Sequence, residues 1–267
     1  YGVKLVCKYI RDTNSPYGTH VGMVIVFDSE AGLPLAIIEG SSLTAIRTAA
    51  ASALATDLMS KKTIESLTIL GCGEQARRHI TAMLSVRSPK HIYLWGRNFD
   101  KAVNLTKQIA PEINVPIIPM KHAQEAVEIA DLICTTTSSS EPILEGKWLQ
   151  RGTHVNLVGA AIASSAEADQ DVVTRSRFVT DYRPAAMAAA GELLRAIENH
   201  VIKESHIVAE IGEIADGKIS GRTNSNEITV YKSLGVAAQD LAAAYSLYKK
   251  SIQFKFGYEI NMMDYSK

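Results

Sequence analysis

The sequence lacks several features that mark specialised classes of protein. Only three of its 267 residues are cysteines, Cys7, Cys72 and Cys134, and no two of them form a CxxC pair. Cysteines this few and this widely spaced argue against a disulfide framework or a zinc site and indicate a reducing compartment. The chain also shows no charged segment leading into an apolar one of the secretory type. We therefore expect a cytoplasmic protein.

Net charge and long apolar runs are absent as well. Lys plus Arg total 28 and Asp plus Glu total 28, so no overall field attracts nucleic acid or an anionic membrane. No stretch approaches the ~18 unbroken apolar residues of a transmembrane helix. None of the seven histidines lies in an HExxH or other metal-binding spacing. We expect no metal centre, no nucleic-acid partner and no membrane partner.

What the sequence does contain is an alternation of short apolar runs with helical segments. SLTIL precedes a predicted helix over 75–86, and HIYLWG precedes another over 99–109. DLICTTT, THVNLVG and RFVTD continue the series. Short apolar strands between helices are typical of a parallel sheet that is covered on both faces. We therefore predict an α/β protein with a Rossmann-type, doubly wound sheet.

Both ends of the chain depart from this alternation. HVGMVIVFDSEAGLPLAII indicates a hairpin, and a helix follows it over 40–62. The segment 191–221 is predicted to be mostly helical, and SLGVAAQDLAAAYSLYKK to be a long terminal helix. We predict that residues 1–60 and 237–267 form a second, α+β domain, and that residues 61–236 form the dinucleotide-binding domain.

The stretch LTILGCGEQARRHI holds a glycine-rich turn between a predicted strand and a predicted helix. Gly71, Gly73 and Ala76 match the pattern G-x-G-x-x-A. The first glycine permits a tight turn, the second lets backbone approach a pyrophosphate, and the small third residue allows helix–strand packing. The helix N-terminus offers free N–H groups to the anion. A structural turn without a ligand is the alternative, but the strand–turn–helix context favours a dinucleotide site.

The end of the next strand bears on which dinucleotide is bound. NAD-binding domains place an acidic residue about 20 residues further on, where it binds the ribose hydroxyls. YLWGRNFDK has Gly96 at that position, followed by Arg97, Asn98 and Lys101. A missing carboxylate beside an arginine favours the 2′-phosphate of NADP, although a solvated surface arginine is the alternative. We predict NADP as the cofactor, with NAD as the second choice.

Three residues outside this domain are candidates for substrate chemistry. Arg47 lies in the mostly apolar helix segment LTAIRTAAASALA, where its guanidinium must find an anion or face water. The alternative is an arginine on the exposed edge of the helix. Lys4 in VKLV and His20 in GTHVG are weaker candidates, because a strand lysine is usually a surface residue and a lone histidine is usually structural.

Five segments in collinear order resemble the ornithine cyclodeaminase/μ-crystallin family over nearly the whole chain. They are VKLV, LTAIRTAAASALA, GCGEQARRHI, SSSEPILEGKWLQRGTHVNLVGA and ITVYKSLGVAAQD. The resemblance implies homodimers with a Rossmann-type domain and a substrate-binding and dimerisation domain built from both chain ends. It implies small amino or imino acid substrates and one of three activities: cyclising deamination of ornithine with recycled NAD, alanine dehydrogenation, or NAD(P)H-dependent reduction of cyclic ketimines. Family members carry a further N-terminal segment, so we expect that a segment before Tyr1 is missing.

The same resemblance assigns site residues. Lys4 and Arg47 hold the substrate carboxylate, and with His20 they are the candidate catalytic residues. Beside Gly71 and Gly73, the cofactor contacts fall on Thr19, His20, Cys72, Glu74, Gln75, Arg97, Asn98, Lys101, Thr137, Val158 and Ser233.

One departure from the family pattern narrows the chemistry. Cyclodeaminases carry an aspartate two residues after the glycine of VG, as the acid/base on the substrate amino group. LVGAAIASS has Ala161 at that position, and an alanine cannot transfer a proton. We predict an NAD(P)H-dependent reductase for the C=N of a small cyclic imino acid carboxylate, or the related amino acid dehydrogenation. The alternatives are an ornithine cyclodeaminase-type lyase with recycled NAD and a non-catalytic NADPH-dependent ligand-binding protein.

Overall fold

The computed structural model describes residues 1–9 and 20–260, which form two compact units. The first unit comprises the described residues of 1–47 and of 237–267, and the second comprises 48–236. The division after Arg47 falls inside a helix, whereas the domain boundary predicted from the sequence follows that helix. The assignment of a dinucleotide-binding domain to residues 61–236 and of a second domain to both chain ends stays a prediction.

The elements of the described residues are numbered in chain order. The strands are β1 Gly2–Lys8, β2 His20–Phe27, β3 Pro34–Glu39, β4 Ser66–Leu70, β5 His91–Trp95, β6 Ile117–Met120, β7 Leu132–Thr135, β8 His154–Leu157, β9 Ser176–Thr180, β10 Ile207–Glu210 and β11 Ile228–Lys232. The α-helices are α1 Gly40–Met59, α2 Glu74–Leu84, α3 Phe99–Ile109, α4 Ala123–Glu128, α5 Gln170–Thr174, α6 Arg183–Ala189, α7 Gly191–Glu198, α8 Ile211–Ala215 and α9 Ala237–Phe254.

The first unit is a three-stranded antiparallel sheet of order β1-β2-β3 with α9 packed on it. Val24, Val26 and Leu43 form its small core with Ala244 of α9. Lys4 is paired with Val24 in the sheet, so both side chains project from the face that carries this core.

The start of α1 is fixed by a carboxylate. The two oxygens of Glu39 accept from the backbone N–H groups of Ser41 and Ser42 at 2.6 and 2.7 Å. Partial burial would raise the pKa of Glu39, but these hydrogen bonds outweigh it and hold the pKa at about 2. The helix that carries Thr44 and Arg47 therefore begins at a well-defined residue.

The second unit is an eight-stranded sheet of order β10-β9-β11-β8-β7-β4-β5-β6, and all its strand pairs are parallel. Leu132 and Cys134 of β7 belong to one apolar cluster, and Ile133 belongs to another. Because successive strand residues point to opposite faces, the sheet is buried on both faces. This confirms the predicted α/β fold class with a Rossmann-type doubly wound sheet.

The sequence prediction missed one strand of this unit. Residues 191–221 contain the helices α7 and α8, but β10 lies between them and pairs with β9. The strand has only four residues, IVAE, which is too short to show a periodicity in the sequence. Within the described residues, no helix is both long enough and apolar enough to cross a bilayer.

Candidate functional site

The glycine turn follows β4, the strand beside which the order of the sheet reverses. Gly71 has φ +132°, a conformation that side chains rarely adopt, and its N–H donates to Trp95 O at 2.8 Å. A Cβ at this position would lie 2.5 Å from Oγ1 of Thr136, which follows β7. Gly71 therefore allows the two loops on either side of the reversal to pack closely.

The N-terminus of α2 is open where a phosphate would lie. Gly73 is the N-cap residue of the helix and makes no side-chain hydrogen bond to its first turn. A Cβ on Gly73 would meet no atom of the described residues within 4 Å, so this part of the chain leaves the space in front of the helix open on that side. The side-chain oxygen of Gln75 is buried with no hydrogen-bond partner among the described residues. Uncapped N–H groups at the positive end of an 11-residue helix are suited to an anion.

Cys72 and Glu74 complete this turn. Burial raises the pKa of the Cys72 thiol, against a smaller opposing effect of Lys101, so the thiol stays protonated. The Glu74 carboxylate pairs with Arg78 one turn along α2, at 2.7 Å. Neither group adds a free negative charge that points at the open helix end.

Gly96, at the end of β5, is packed closely against Cys72. A Cβ at Gly96 would overlap the sulfur of Cys72, so a larger residue at this position would require the Cys72 side chain to move. Asn98 caps α3 by accepting from Lys101 N at 3.2 Å. Arg97 is exposed, and across the described ranges neither it nor Lys101 forms an ion pair. Two free cations thus follow β5.

Three further predicted residues lie at the carboxyl ends of neighbouring strands. Thr137 follows β7, Val158 follows β8 and Ser233 follows β11. Val158 N donates to Thr135 O at 3.1 Å, and Ser233 N donates to Leu157 O at 2.9 Å. The parallel sheet therefore brings these loops to the same edge as the glycine turn, where ligands of such sheets bind.

The first unit carries a separate cluster, which we call the cationic cluster: Lys4, Thr44, Arg47, Gln239 and Asp240. Lys4 Nζ lies 2.7 Å from Thr44 Oγ1 and 2.8 Å from Asp240 Oδ1. Arg47 Nε lies 2.9 Å from the same Asp240 oxygen, and Nη1 donates to Gln239 Oε1 at 3.1 Å. The side chain of Arg47 is only 11% exposed, so it is not an arginine on an open helix edge.

Asp240 is the member of this cluster that sequence reasoning missed. Its side chain is 8% exposed and ties the two cations together, although it lies 236 positions from Lys4 in the chain. Nothing local in GVAAQD distinguishes this aspartate from a solvated first-turn residue of α9. With one carboxylate and two cations, the cluster keeps one net positive charge and unused N–H donors for an anionic ligand.

Two of the predicted residues lie at or beyond the limit of the described residues. Thr19 lies outside the described residues, and of His20 only the backbone, at the start of β2 opposite Lys8, is described. Ala161 is exposed in the loop that follows β8. The described chain contains no group of three His, Cys, Asp or Glu side chains suited to a metal. The three cysteines are free, and burial raises the pKa of Cys134 to about 12.

Comparison with known proteins gives one consistent result. The sequence profile of the ornithine cyclodeaminase/mu-crystallin family matches residues 1–254. A Δ1-pyrroline-2-carboxylate reductase of Bacillus cereus is 35% identical over 260 residues, which are 97% of this chain and 80% of that protein. The ketimine reductase mu-crystallin of Mus musculus is 35% identical over 245 residues, covering 92% of this chain and 74% of that protein.

A solved structure agrees with these relatives. The Thermococcus litoralis Δ1-pyrroline-2-carboxylate reductase, in complex with NADH and L-proline, superposes with a TM-score of 0.93 at 32% identity. The superposition covers 97% of this chain and 80% of that one.

Proposed function

The chain belongs to the ornithine cyclodeaminase/mu-crystallin family, and we propose that it is an NAD(P)H-dependent oxidoreductase that reduces the C=N bond of a small imino acid carboxylate. The observation that carries this proposal is the likeness to imine reductases of two kinds over nearly the whole chain. Alanine at position 161 agrees with it, since a deaminating enzyme needs a proton-transferring group there. Cyclic imino acids, such as Δ1-pyrroline-2-carboxylate, are the substrates we expect first.

The cofactor in this proposal is NADP, with NAD as the second choice, and when bound it supplies the hydride. The open N-terminus of α2 and the close-packed turn at Gly71 fit a pyrophosphate. Arg97 and Lys101, exposed at the end of β5, fit a 2′-phosphate. The other described residues that we propose to contact the cofactor are Cys72, Glu74, Gln75, Asn98, Thr137, Val158 and Ser233.

The cationic cluster is the proposed carboxylate site. Arg47 donates its remaining N–H groups to the substrate carboxylate in a bidentate, charge-assisted interaction, and Lys4 adds a second positive contact. Asp240 orients both cations without neutralising them fully. A carboxylate-bearing substrate is therefore bound by charge and held in one orientation, which is the main contribution a protein makes to a hydride transfer.

The proton balance of the reaction needs no acid at position 161. Reduction of the C=N bond requires one hydride on the carbon and one proton on the nitrogen. We propose that the imine enters protonated at neutral pH, so that the hydride alone completes the amine. Lys4, His20 and water are the alternative donors, and the same groups would accept the proton if the reaction runs as an amino acid dehydrogenation.

We also propose a homodimer formed through the first unit. Leu5 and Met23, paired in the sheet, and Ile37 of β3 are large apolar residues that are each more than 40% exposed. An exposed apolar sheet face of this kind marks an association surface. A cytoplasmic location stays a proposal, supported by the three free cysteines.

The proposed function is tested by a substrate panel. Purified protein is mixed with NADPH or NADH and with Δ1-pyrroline-2-carboxylate, Δ1-piperideine-2-carboxylate or acyclic imino acids, and the loss of reduced-cofactor absorbance is followed. We expect turnover of at least one cyclic substrate. Proline and ammonia formed from ornithine without added cofactor would favour the cyclodeaminase instead. Tight NADPH binding with no turnover of any substrate would favour a non-catalytic binding protein.

A further inference from the structure

Glu167 is a buried residue at the carboxyl edge of the parallel sheet, and the proposed reaction assigns no role to its carboxylate. The residue is fully buried. One carboxylate oxygen accepts from the N–H and hydroxyl of Thr137, both at 2.6 Å. The other accepts from Thr135 Oγ1 at 2.7 Å, Gly159 N at 2.6 Å and Ala160 N at 3.2 Å. Three backbone N–H groups and two hydroxyls thus surround the two carboxylate oxygens, which accept from all five.

These donors belong to two different loops. Thr135 ends β7 and Thr137 follows it, whereas Gly159 and Ala160 follow β8. A Cβ on Gly159 would collide with the carbonyl oxygen of Thr137, so the two loops pack backbone against backbone. Glu167 therefore acts as a clamp that joins the loops at the point where both leave the sheet.

A buried ion pair holds the segment that carries Glu167. Lys232 and Glu192 are both fully buried, with Nζ 2.8 Å from Oε2. Lys232 Nζ also donates to Ala160 O at 2.6 Å, and Glu192 Oε1 accepts from Glu167 N at 2.9 Å. The two ends of segment 160–167 are thus fixed, while its middle, including Ile162, is exposed.

The clamped loops lie on one side of the strand-order reversal. In a doubly wound sheet a dinucleotide binds across that reversal, with one mononucleotide half on each side. The reversal lies between β4 and β7, and Arg97 follows β5 on one side. Thr137 and Val158 follow β7 and β8 on the other side. The adenosine half is therefore expected on the β5 side, and the nicotinamide half over the loops that Glu167 joins.

We propose that Glu167 is a positioning residue, which holds Thr137 and the 158–160 backbone in place for the nicotinamide half of the cofactor. The inference rests on the proposed function, because it requires a nicotinamide dinucleotide at this edge. Glutamine at this position keeps the shape of the side chain but turns an NH2 group toward N–H donors. At least one of the two loops then loses its hydrogen bond, and a partly buried N–H of Thr137 or Gly159 is left without its acceptor.

The test separates the two halves of the cofactor. Wild type and Glu167→Gln are titrated by calorimetry with NADPH and with 2′,5′-ADP, which carries only the phosphorylated adenosine half. We expect the Kd for NADPH to weaken about tenfold and the Kd for 2′,5′-ADP to stay unchanged. Thr135→Val, which removes one hydroxyl donor to Glu167 and keeps the shape, is expected to weaken NADPH binding less and to leave 2′,5′-ADP binding unchanged.

Asp131→Asn is the matched control. Asp131 accepts from the N–H of Glu65 at 2.8 Å at the opposite, amino edge of the same sheet. Both Kd values are expected to stay at the wild-type level in this variant. A wild-type protein that binds neither ligand overturns the proposed function, and this inference with it. Wild-type binding of both ligands with an unchanged Kd for NADPH in Glu167→Gln, or an equal loss for both ligands, overturns the positioning role alone.

Discussion

At the scale of single residues, the cationic cluster owes its geometry to one shared carboxylate. Lys4 and Arg47 approach the same oxygen of Asp240, at 2.8 and 2.9 Å. Two cations this close would repel each other in a half-buried setting without that anion. The arrangement keeps both cations ordered before any substrate arrives, which lowers the entropic cost of binding a carboxylate.

Replacing Arg47 with alanine tests the substrate role of the cluster. We expect kcat/KM for the imino acid to fall ~10²-fold or more, because a charge-assisted pair worth about 1.5–3 kcal/mol is lost and the substrate is misplaced. Steady-state kinetics with saturating NADPH measure the effect. Arg77→Ala, which removes a partly exposed arginine of α2 that pairs with Glu112, is the control and is expected to leave kcat/KM unchanged. An unaltered kcat/KM in Arg47→Ala would remove Arg47 from the site.

The cationic cluster also predicts that Asp240 and Lys4 have coupled effects on the free energy of unfolding. Asp240→Asn is expected to lower the free energy of unfolding by about 1–3 kcal/mol, because Lys4 and Arg47 lose their shared partner. Adding Lys4→Met removes the repulsion and is expected to restore part of that loss. Chemical denaturation of the two single variants and the double variant measures this coupling. Additive effects would show that Asp240 and Lys4 stabilise the fold independently.

At the scale of elements, α2 carries a buried histidine two turns after the glycine turn begins. His79 Nδ1 lies 2.8 Å from Gln75 O, and Nε2 lies 3.0 Å from Ser52 Oγ. The carbonyl can only accept, so the neutral ring carries its proton on Nδ1 and accepts from the serine. Burial lowers the pKa of His79 to about 4, against a smaller raising effect of the bond to Gln75. Burial, with Arg222 nearby, lowers the pKa of His154 on β8 to about 3.

These two histidines make the second unit acid-sensitive. Each histidine has a pKa in the folded protein that lies below its ordinary value of 6.5. Between its folded-state pKa and 6.5, the unfolded chain therefore binds more protons than the folded protein. The stabilisation is complete above about pH 6.5 and is lost as the pH falls toward 4, by up to about 1.4 kcal/mol per pH unit for each histidine. Denaturant titrations across this range measure the slope, and His79→Gln is expected to flatten it. The same slope in wild type and variant would contradict the assignment for His79.

The turn after β5 predicts the preference between the two cofactors. Arg97→Ala is expected to raise the KM for NADPH about tenfold and to leave the KM for NADH nearly unchanged, because only NADPH carries the 2′-phosphate. Steady-state kinetics with each cofactor give the two values. Lys62→Ala, at a highly exposed position remote in sequence from this turn, is the control and is expected to change neither value. Equal changes for both cofactors would show that Arg97 does not read the 2′-phosphate.

At the scale of the whole molecule, the sequence was sufficient for the features that depend on local pattern. The family, the fold class and the NAD(P)H-dependent reductase class are confirmed. The predicted helix over 99–109 has the observed bounds, and Gly71 adopts the left-handed backbone conformation that the glycine turn predicts. Glycine turns and caps are encoded by adjacent residues, so a single sequence reveals them. The individual site roles remain predictions.

The sequence could not reveal the buried carboxylates that organise the site. Asp240 meets Lys4 across almost the entire chain, and Glu167 joins loops that leave two strands. Such contacts depend on which strands and helices become neighbours, and no local periodicity specifies that arrangement. A fully buried Glu–Lys pair such as Glu192 and Lys232 also contradicts the usual exposure of charged residues, so hydropathy hides it.

Transfer of a hydride from the dinucleotide to the C=N carbon is the central chemical claim. The protein is incubated with Δ1-pyrroline-2-carboxylate and NADPH deuterated at both C4 positions of the nicotinamide, and the product is analysed by mass spectrometry and NMR. We predict proline that carries one deuterium on its α-carbon. Proline without deuterium, or no proline formed by protein that binds NADPH, would contradict the proposed reaction.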